Sequence, residues 1–160
     1  MLSEQATIDE VVEKFWESVP PAWHNTRAYI RQVAAEKFSM TSEQFQVLRR
    51  IRKGIDSVSA LADANRTSRS SVSKAVDALV HKGLVSRLTD EIDRRHVHLT
   101  LTTEGERLLK EVYDQAEAWL REKFQKLSPD ELVLLLEALP VLQKTFNENP
   151  KTTRYSPILP

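Results

Sequence analysis

Between positions 68 and 74 the sequence reads Ser-Arg-Ser-Ser-Val-Ser-Lys. Ser68, Ser70, Ser71 and Ser73 supply short hydroxyl donors suited to phosphate oxygens and base edges at close range, and Arg69 and Lys74 supply longer basic groups that reach guanine acceptors. A second basic pair, Arg94 and Arg95, follows Asp93. Arginine at a hairpin tip suits the minor groove of a duplex, where the potential is most negative, so Arg94 or Arg95 is expected to insert there. The chemistry implied is recognition of double-stranded DNA, provided that the first group lies on one helix and the second on a turn.

The elements needed to place them so are legible around both groups. A short helix is expected from Ser57, with Ala60, Leu61 and Ala62 as its small apolar face, breaking near Asn65. Thr67 or Ser68 then offers a hydroxyl cap for a second helix running to Lys82. Val72, Ala75, Val76 and Leu79 recur at helical intervals and form a stripe that must be buried, which turns Ser70, Lys74 and Asp77 outward. Gly83 suits the left-handed residue that ends a helix. Residues 84–88 and 96–101 read as strands, joined by a turn over 89–93. Helix, tight connection, helix and basic-tipped hairpin together predict a winged helix-turn-helix.

These residues resemble the MarR family of multiple-antibiotic-resistance regulators. The resemblance rests on Ser68 to Lys74, Asp77 through Leu79, Lys82-Gly83-Leu84-Val85, Asp93-Arg94-Arg95 and Leu101-Thr102-Thr103-Glu104-Gly105, in that order and spacing. With flanking helices it extends over roughly residues 20–147. It implies that one arginine of the Asp93-Arg94-Arg95 motif enters the minor groove while Asp93 braces the wing through a salt bridge. It further implies dimerisation through the flanking helices. Regulation by a small aromatic or lipophilic ligand is implied as well, lodged near Trp16, Trp23 or Tyr113.

Lys and Arg total 23 and Asp and Glu total 23, a formal net charge of zero that by itself argues against a nucleic-acid partner. The distribution reverses this, because residues 47–100 hold 11 basic against 6 acidic residues, a net of +5, and the remainder carries −5. Phosphate attraction is screened beyond roughly 8 to 10 Å at moderate salt, so a basic segment on an acidic support is enough for local docking. Cysteine is absent, which excludes disulfides, thiolate zinc sites and the thiol oxidant sensing used by some members of the resembled family. There is no basic stretch followed by an apolar run at the N-terminus and no apolar stretch of membrane-spanning length, so a soluble cytoplasmic protein without membrane contact is expected.

The flanking segments read as helices. Thr7 and Glu10 have capping-box spacing, and Ile8, Val11, Val12, Phe15, Trp16 and Val19 recur at helical intervals. Pro20-Pro21 is expected to end that helix, with a second beginning at Pro21, running to about Phe38 and burying Trp23, Tyr29 or Ile30, Val33 and Ala34. Thr41 and Gln44 cap a further helix whose end carries Arg49, Arg50, Arg52 and Lys53 before Gly54, a cluster read as a solvated helix end. Thr103 and Glu106 are expected to cap a long helix to about Lys126, with Leu109, Val112, Ala116, Trp119 or Leu120, and Phe124 on one side. Ser128-Pro129-Asp130-Glu131 opens the last helix, with Leu132, Leu135, Leu136, Leu139, Leu142 and Phe146 on one face and a kink expected at Pro140.

The fold class expected is mainly α, an α+β winged helix-turn-helix lobe with N- and C-terminal dimerisation helices. Residues 1–40 form the N-terminal helices, 41–101 the DNA-binding lobe, 102–147 the C-terminal helices and 148–160 a tail, where Tyr155, Ile158 and Leu159 dock on the dimer or stay disordered. Apolar helices at both ends of a small lobe need a partner surface, and a second copy is the simplest one. The function expected is that of a homodimeric, sequence-specific DNA-binding transcriptional regulator, a repressor released by a small-molecule ligand, on a pseudo-palindromic operator. The competing reading is a winged-helix protein–protein interaction module, which an apolar exposed face over 67–82 would favour. No enzyme is expected, since there is no Gly-rich phosphate loop, serine elbow or carboxylate pair of clear geometry. His96 and His98 share a strand face without a clear third ligand, and His24 and His81 stand alone, so neither a metal nor a cofactor is expected.

Overall fold

The computed structural model describes residues 7–89 and 97–147. Within them six helices and a hairpin follow in the order α1 (Ile8–Phe38), α2 (Ser42–Arg52), α3 (Val58–Asn65), α4 (Arg69–His81), β1 (Val85–Thr89), β2 (Val97–Leu101), α5 (Thr103–Phe124) and α6 (Pro129–Asn147). The mainly helical fold with one small antiparallel sheet is the class that the sequence predicts. The chain divides into two compact units at Ala116, within α5.

The first unit holds the hydrophobic core. Phe45, Val47 and Leu48 of α2, Leu61 of α3, Val72, Val76 and Leu79 of α4, and Leu109 and Val112 of α5 are fully enclosed. The helical stripe expected on α4 is therefore its buried face, with Ala75 completing it. Ser57 caps α3, accepting a hydrogen bond from the Ala60 N–H, and Ser68, not Thr67, caps α4 by accepting from the Ser71 N–H at 3.1 Å. Between them Arg66 takes the left-handed conformation, with φ at 52°, and gives the connection its tight turn. Gly83 does the same after α4, with φ at 70°, as its position in the sequence predicts.

The sheet pairs β1 with β2 in antiparallel register, Val85 opposite Leu101 and Thr89 opposite Val97. β1 starts one residue later than expected because Leu84 is committed to the turn. Its N–H donates to the Leu79 carbonyl and its own carbonyl accepts from the Thr102 N–H. On the outer side of β2, the Leu99 N–H donates to the Asp56 carbonyl at 2.7 Å, so the connector between α2 and α3 supports the hairpin from that side.

Two expected helix boundaries are corrected. Pro20 and Pro21 do not end a helix; both lie inside the continuous α1. Proline's φ is already helical, and the carbonyls it leaves without donors, those of Trp16 and Glu17, belong to residues exposed in the chain, so the missing bonds are not buried in its core. The cap of α5 is Thr102, one residue before the expected Thr103: its hydroxyl accepts from the Gly105 N–H at 3.0 Å and donates to the Gly83 carbonyl at 2.6 Å. The frame is set by packing, because Gly105 lies so close to the backbone of Leu84 that a Cβ there would come within 2.2 Å of the Leu84 carbonyl oxygen.

The N-terminal part of α1 is uncovered. Its capping box at Thr7 and Glu10 forms as expected, but Ile8, Val11, Val12 and Trp16 are exposed, and burial is confined to Val33 and Ala34 near its other end. Trp23, expected inside, is about half exposed, with the Arg27 guanidinium over its ring.

The second unit runs from Glu117 and comprises the end of α5 and α6. Ser128 and Glu131 make a reciprocal capping box, the Ser128 N–H donating to Glu131 Oε2 at 2.8 Å and the Glu131 N–H to Ser128 Oγ at 3.3 Å. α6 continues through Pro140 and buries no residue. Of its apolar stripe, Leu132, Leu136, Leu139 and Phe146 are exposed and Leu135 and Leu142 half-buried, while Val133, Leu134 and Val141 extend the apolar surface to further faces. A helix apolar on several sides ordinarily has neighbours on those sides. Among the described residues no helix is long and apolar enough to cross a membrane.

Candidate nucleic-acid interface

The candidate interface is the outward side of α4 and the hairpin beside it. With Val72, Ala75, Val76 and Leu79 turned inward, helical geometry brings Ser70, Lys74 and Asp77 to the opposite side, and all three are exposed. Arg69 is also exposed. Ser73 is half-buried at the margin. At the leading end Ser68 is committed to capping, and its hydroxyl lies 3.1 Å from that of Ser70. These are the groups the sequence assigns to DNA contact, and the fold brings Ser68, Arg69, Ser70, Ser73 and Lys74 onto the leading end and open side of one helix.

Two side chains have partners that sequence spacing does not show. The Ser71 hydroxyl donates to Glu43 Oε1 at 2.6 Å, joining the first turn of α4 to the first turn of α2. On the hairpin side, the Arg87 guanidinium of β1 donates to Asp77 Oδ1 at 2.5 Å. Asp77 is thus a link between helix and wing as well as a polar residue of the outward side. α4 is held from α2 near its start and from β1 farther along, with Lys74 between the two attachments and Ser70 just ahead of the first. Glu43 and Arg87 were missed by sequence reasoning. Nothing local marks Glu43, which is separated from Ser71 by 28 positions, whereas strand alternation together with the acid on α4 gave a usable signal for Arg87.

The expected wing tip, Asp93, Arg94 and Arg95, lies outside the described residues, as does His96. The strands leading to it are defined. His98 Nδ1 lies 2.7 Å from Asp56 Oδ2, which adds a side-chain link to the backbone bond between Leu99 and Asp56. Among the described residues no three His, Asp or Glu side chains come together as a metal site.

The basic cluster at the end of α2 has another setting. Arg49 and Arg50 are half-buried, with the Arg49 guanidinium 5.8 Å over the ring of the buried Phe45, and Lys53, the residue that closes α2, is exposed. Partial desolvation, followed by the neighbouring Arg49 and Arg50 charges, holds the Lys53 ammonium below its ordinary pKa. Arg52 pairs with Glu106 of α5 at 3.4 Å. Of the aromatic residues assigned to a ligand, Trp16 and Trp23 are exposed on α1, and Tyr113 is half-buried against the core from α5.

Residues 38–96, which span α2 to the expected wing tip, match the family model described as the MarR family. An uncharacterized HTH-type transcriptional regulator of Bacillus subtilis (strain 168), YfiV, is 30% identical over 116 residues, covering 72% of this chain and 72% of that protein. The chain belongs to the MarR family. The transcriptional regulator HosA of Escherichia coli, 28% identical over 130 residues, covers 78% of this chain and 96% of its own length. Among solved structures, transcriptional regulator Tm0710 from Thermotoga maritima superposes with a TM-score of 0.80 at 22% identity, covering 88% of this chain and 99% of that one. A point mutant of MepR from S. aureus, solved bound to an oligodeoxyribonucleotide, superposes with a TM-score of 0.65 at 20% identity, covering 82% and 97%. At these identities the two structures carry the fold alone, and that fold is the MarR winged helix.

Proposed function

We propose that this MarR-family chain acts in the cytoplasm as a homodimeric transcriptional regulator that binds a pseudo-palindromic DNA operator. Each protomer places α4 in a major groove and the hairpin tip in the adjoining minor groove. One observation carries the reading: α4 is buried on one side, held by α2 through Ser71 and by β1 through Asp77, and presents Ser70 and Lys74 outward with Ser68, Arg69 and Ser73 around them. That surface is polar and cationic, which suits phosphates and base edges and disfavours the alternative of an apolar protein-docking module. Asp93 supports the wing, and Arg94 or Arg95 supplies the minor-groove contact. The known complex of MepR with an oligonucleotide supports the same mode of use for the shared fold.

Dimerisation through α1 and α6 is supported by the apolar residues each leaves exposed, which a second copy of the chain covers. Repression follows from occupying an operator that overlaps a promoter. A small aromatic or lipophilic ligand near Trp16, Trp23 or Tyr113 releases the protein if it binds better to a dimer whose lobe spacing mismatches successive grooves.

The test is selection of a preferred duplex from a random pool, followed by anisotropy titration over a range of salt. Lys74→Ala is expected to weaken binding by about tenfold or more if Lys74 reads a base, or to reduce the salt slope by roughly one unit if it meets a phosphate. A wild-type protein with no salt-sensitive affinity for any duplex overturns the reading.

A further inference from the structure

Glu43 is the acidic residue in the first turn of α2, and its carboxylate is fixed by the Ser71 hydroxyl at 2.6 Å. Ser71 stands on the flank of α4, away from the middle of the exposed side, at the level of the helix's first turn. A helix lying in a major groove turns its middle stripe to the base edges and its flanks to the groove walls, which are lined by phosphates. In the docking proposed above, the tether would place a negative charge where this helix approaches the DNA backbone. The acid on the exposed side of α4 itself, Asp77, is neutralised, since the Arg87 guanidinium is paired with it. Glu43 is held by a neutral hydroxyl, so its charge is not cancelled by that contact.

We propose that Glu43 is a specificity-determining residue. It orients the leading end of α4 through Ser71 and, by its charge, lowers the sequence-independent attraction to phosphates, so that stable docking requires the base contacts of the helix. The proposal rests on the DNA-binding reading above and goes beyond it, because the hydroxyl of Ser71 is assigned to Glu43 and not to a phosphate.

Two substitutions separate the charge from the tether. Glu43→Gln keeps an oxygen to accept from Ser71 and removes the charge. Ser71→Ala keeps the charge and removes the hydrogen bond. Binding of each full-length variant is measured by anisotropy on a selected duplex and on a random-sequence duplex, across a salt series. Glu43→Gln is expected to bind the random duplex about three- to tenfold tighter, with a steeper salt dependence and a lower ratio of specific to random affinity. Ser71→Ala is expected to weaken binding to the selected duplex while leaving random binding within about twofold. The proposal is overturned if Glu43→Gln matches wild type on the random duplex in affinity and salt slope, or if both variants behave alike, which would leave the tether as the whole effect. If wild type binds neither duplex, the DNA-binding reading itself fails, and the control shows that before any variant is compared.

Discussion

Replacing Gly105 by alanine sets two physical effects against each other. In an ordinary helix the change removes backbone freedom from the unfolded chain and stabilises by about 0.5–1 kcal/mol. At this position the new Cβ would sit 2.2 Å from the Leu84 carbonyl oxygen, a backbone atom that no side-chain rotation can move. Relieving the clash requires displacement of about 1 Å between the start of α5 and the turn after α4, on the scale of strain that costs typically 1–3 kcal/mol. The same displacement stretches the bonds from the Thr102 N–H to Leu84 and from the Thr102 hydroxyl to Gly83, each worth about 1 kcal/mol net. The expected balance is destabilisation by roughly 2–4 kcal/mol. With a urea dependence of about 1–3 kcal/mol per molar, the unfolding midpoint should fall by roughly 1–2 M, measured at one fixed protein concentration because the proposed dimer would unfold in a concentration-dependent way. Because the strained turn leads directly into β1, duplex affinity should decline as well. A Gly105→Ala protein as stable as wild type, or more so, refutes the packing argument.

Other perturbations separate stability from function. Arg87→Met breaks a largely exposed ion pair and is expected to change stability by less than about 1 kcal/mol while reducing duplex affinity several-fold, because the pair joins the hairpin to α4; equal affinity in titrations would dismiss that role. Leu136→Glu alters a side chain that is 71% exposed within the chain, so sedimentation should show dissociation into monomers with helix content retained, whereas an unchanged dimer would remove α6 from the interface. For acid behaviour, hydrogen bonds from the Thr7 backbone and hydroxyl hold the Glu10 carboxyl below its ordinary 4.5, and the Ser128 backbone and hydroxyl do the same for Glu131. Carboxyls lowered in the folded state stabilise above their unfolded pKa, and that contribution is lost as pH falls through the folded value. Protection of the amides in the first turns of α1 and α6, taken against the intrinsic exchange rate at each pH, should therefore fall on acidification below 4.5, and Glu131→Gln should remove this dependence from α6 alone.

What can be read from the sequence follows from how local its causes are. Hydroxyl caps act over three residues, which is why Thr7, Thr41, Ser57 and Ser128 are legible as helix starts, and Gly83 needs only its own φ. The stripe on α4 repeats at helical intervals, so both its buried and its outward residues are legible too. Pro20-Pro21 misleads because a breaking propensity is weighed without knowing that the affected carbonyls belong to residues outside the core. The cap of α5 slips by one residue because its frame depends on Leu84, a contact made only in the folded state. Glu43 with Ser71 and Asp56 with His98 bring together residues far apart in sequence, and no periodicity encodes such pairs. The apolar sides of α1 and α6 show as stripes, but a stripe says that something must cover it without saying which neighbour does.

The central claim is that two copies of this chain set a matched pair of α4 helices on one duplex. Sedimentation equilibrium of the protein with its selected duplex, combined with hydroxyl-radical footprinting, measures that directly. The account predicts two chains per duplex and two protected segments centred about one helical turn apart. One chain per duplex, or a single protected segment, would contradict it.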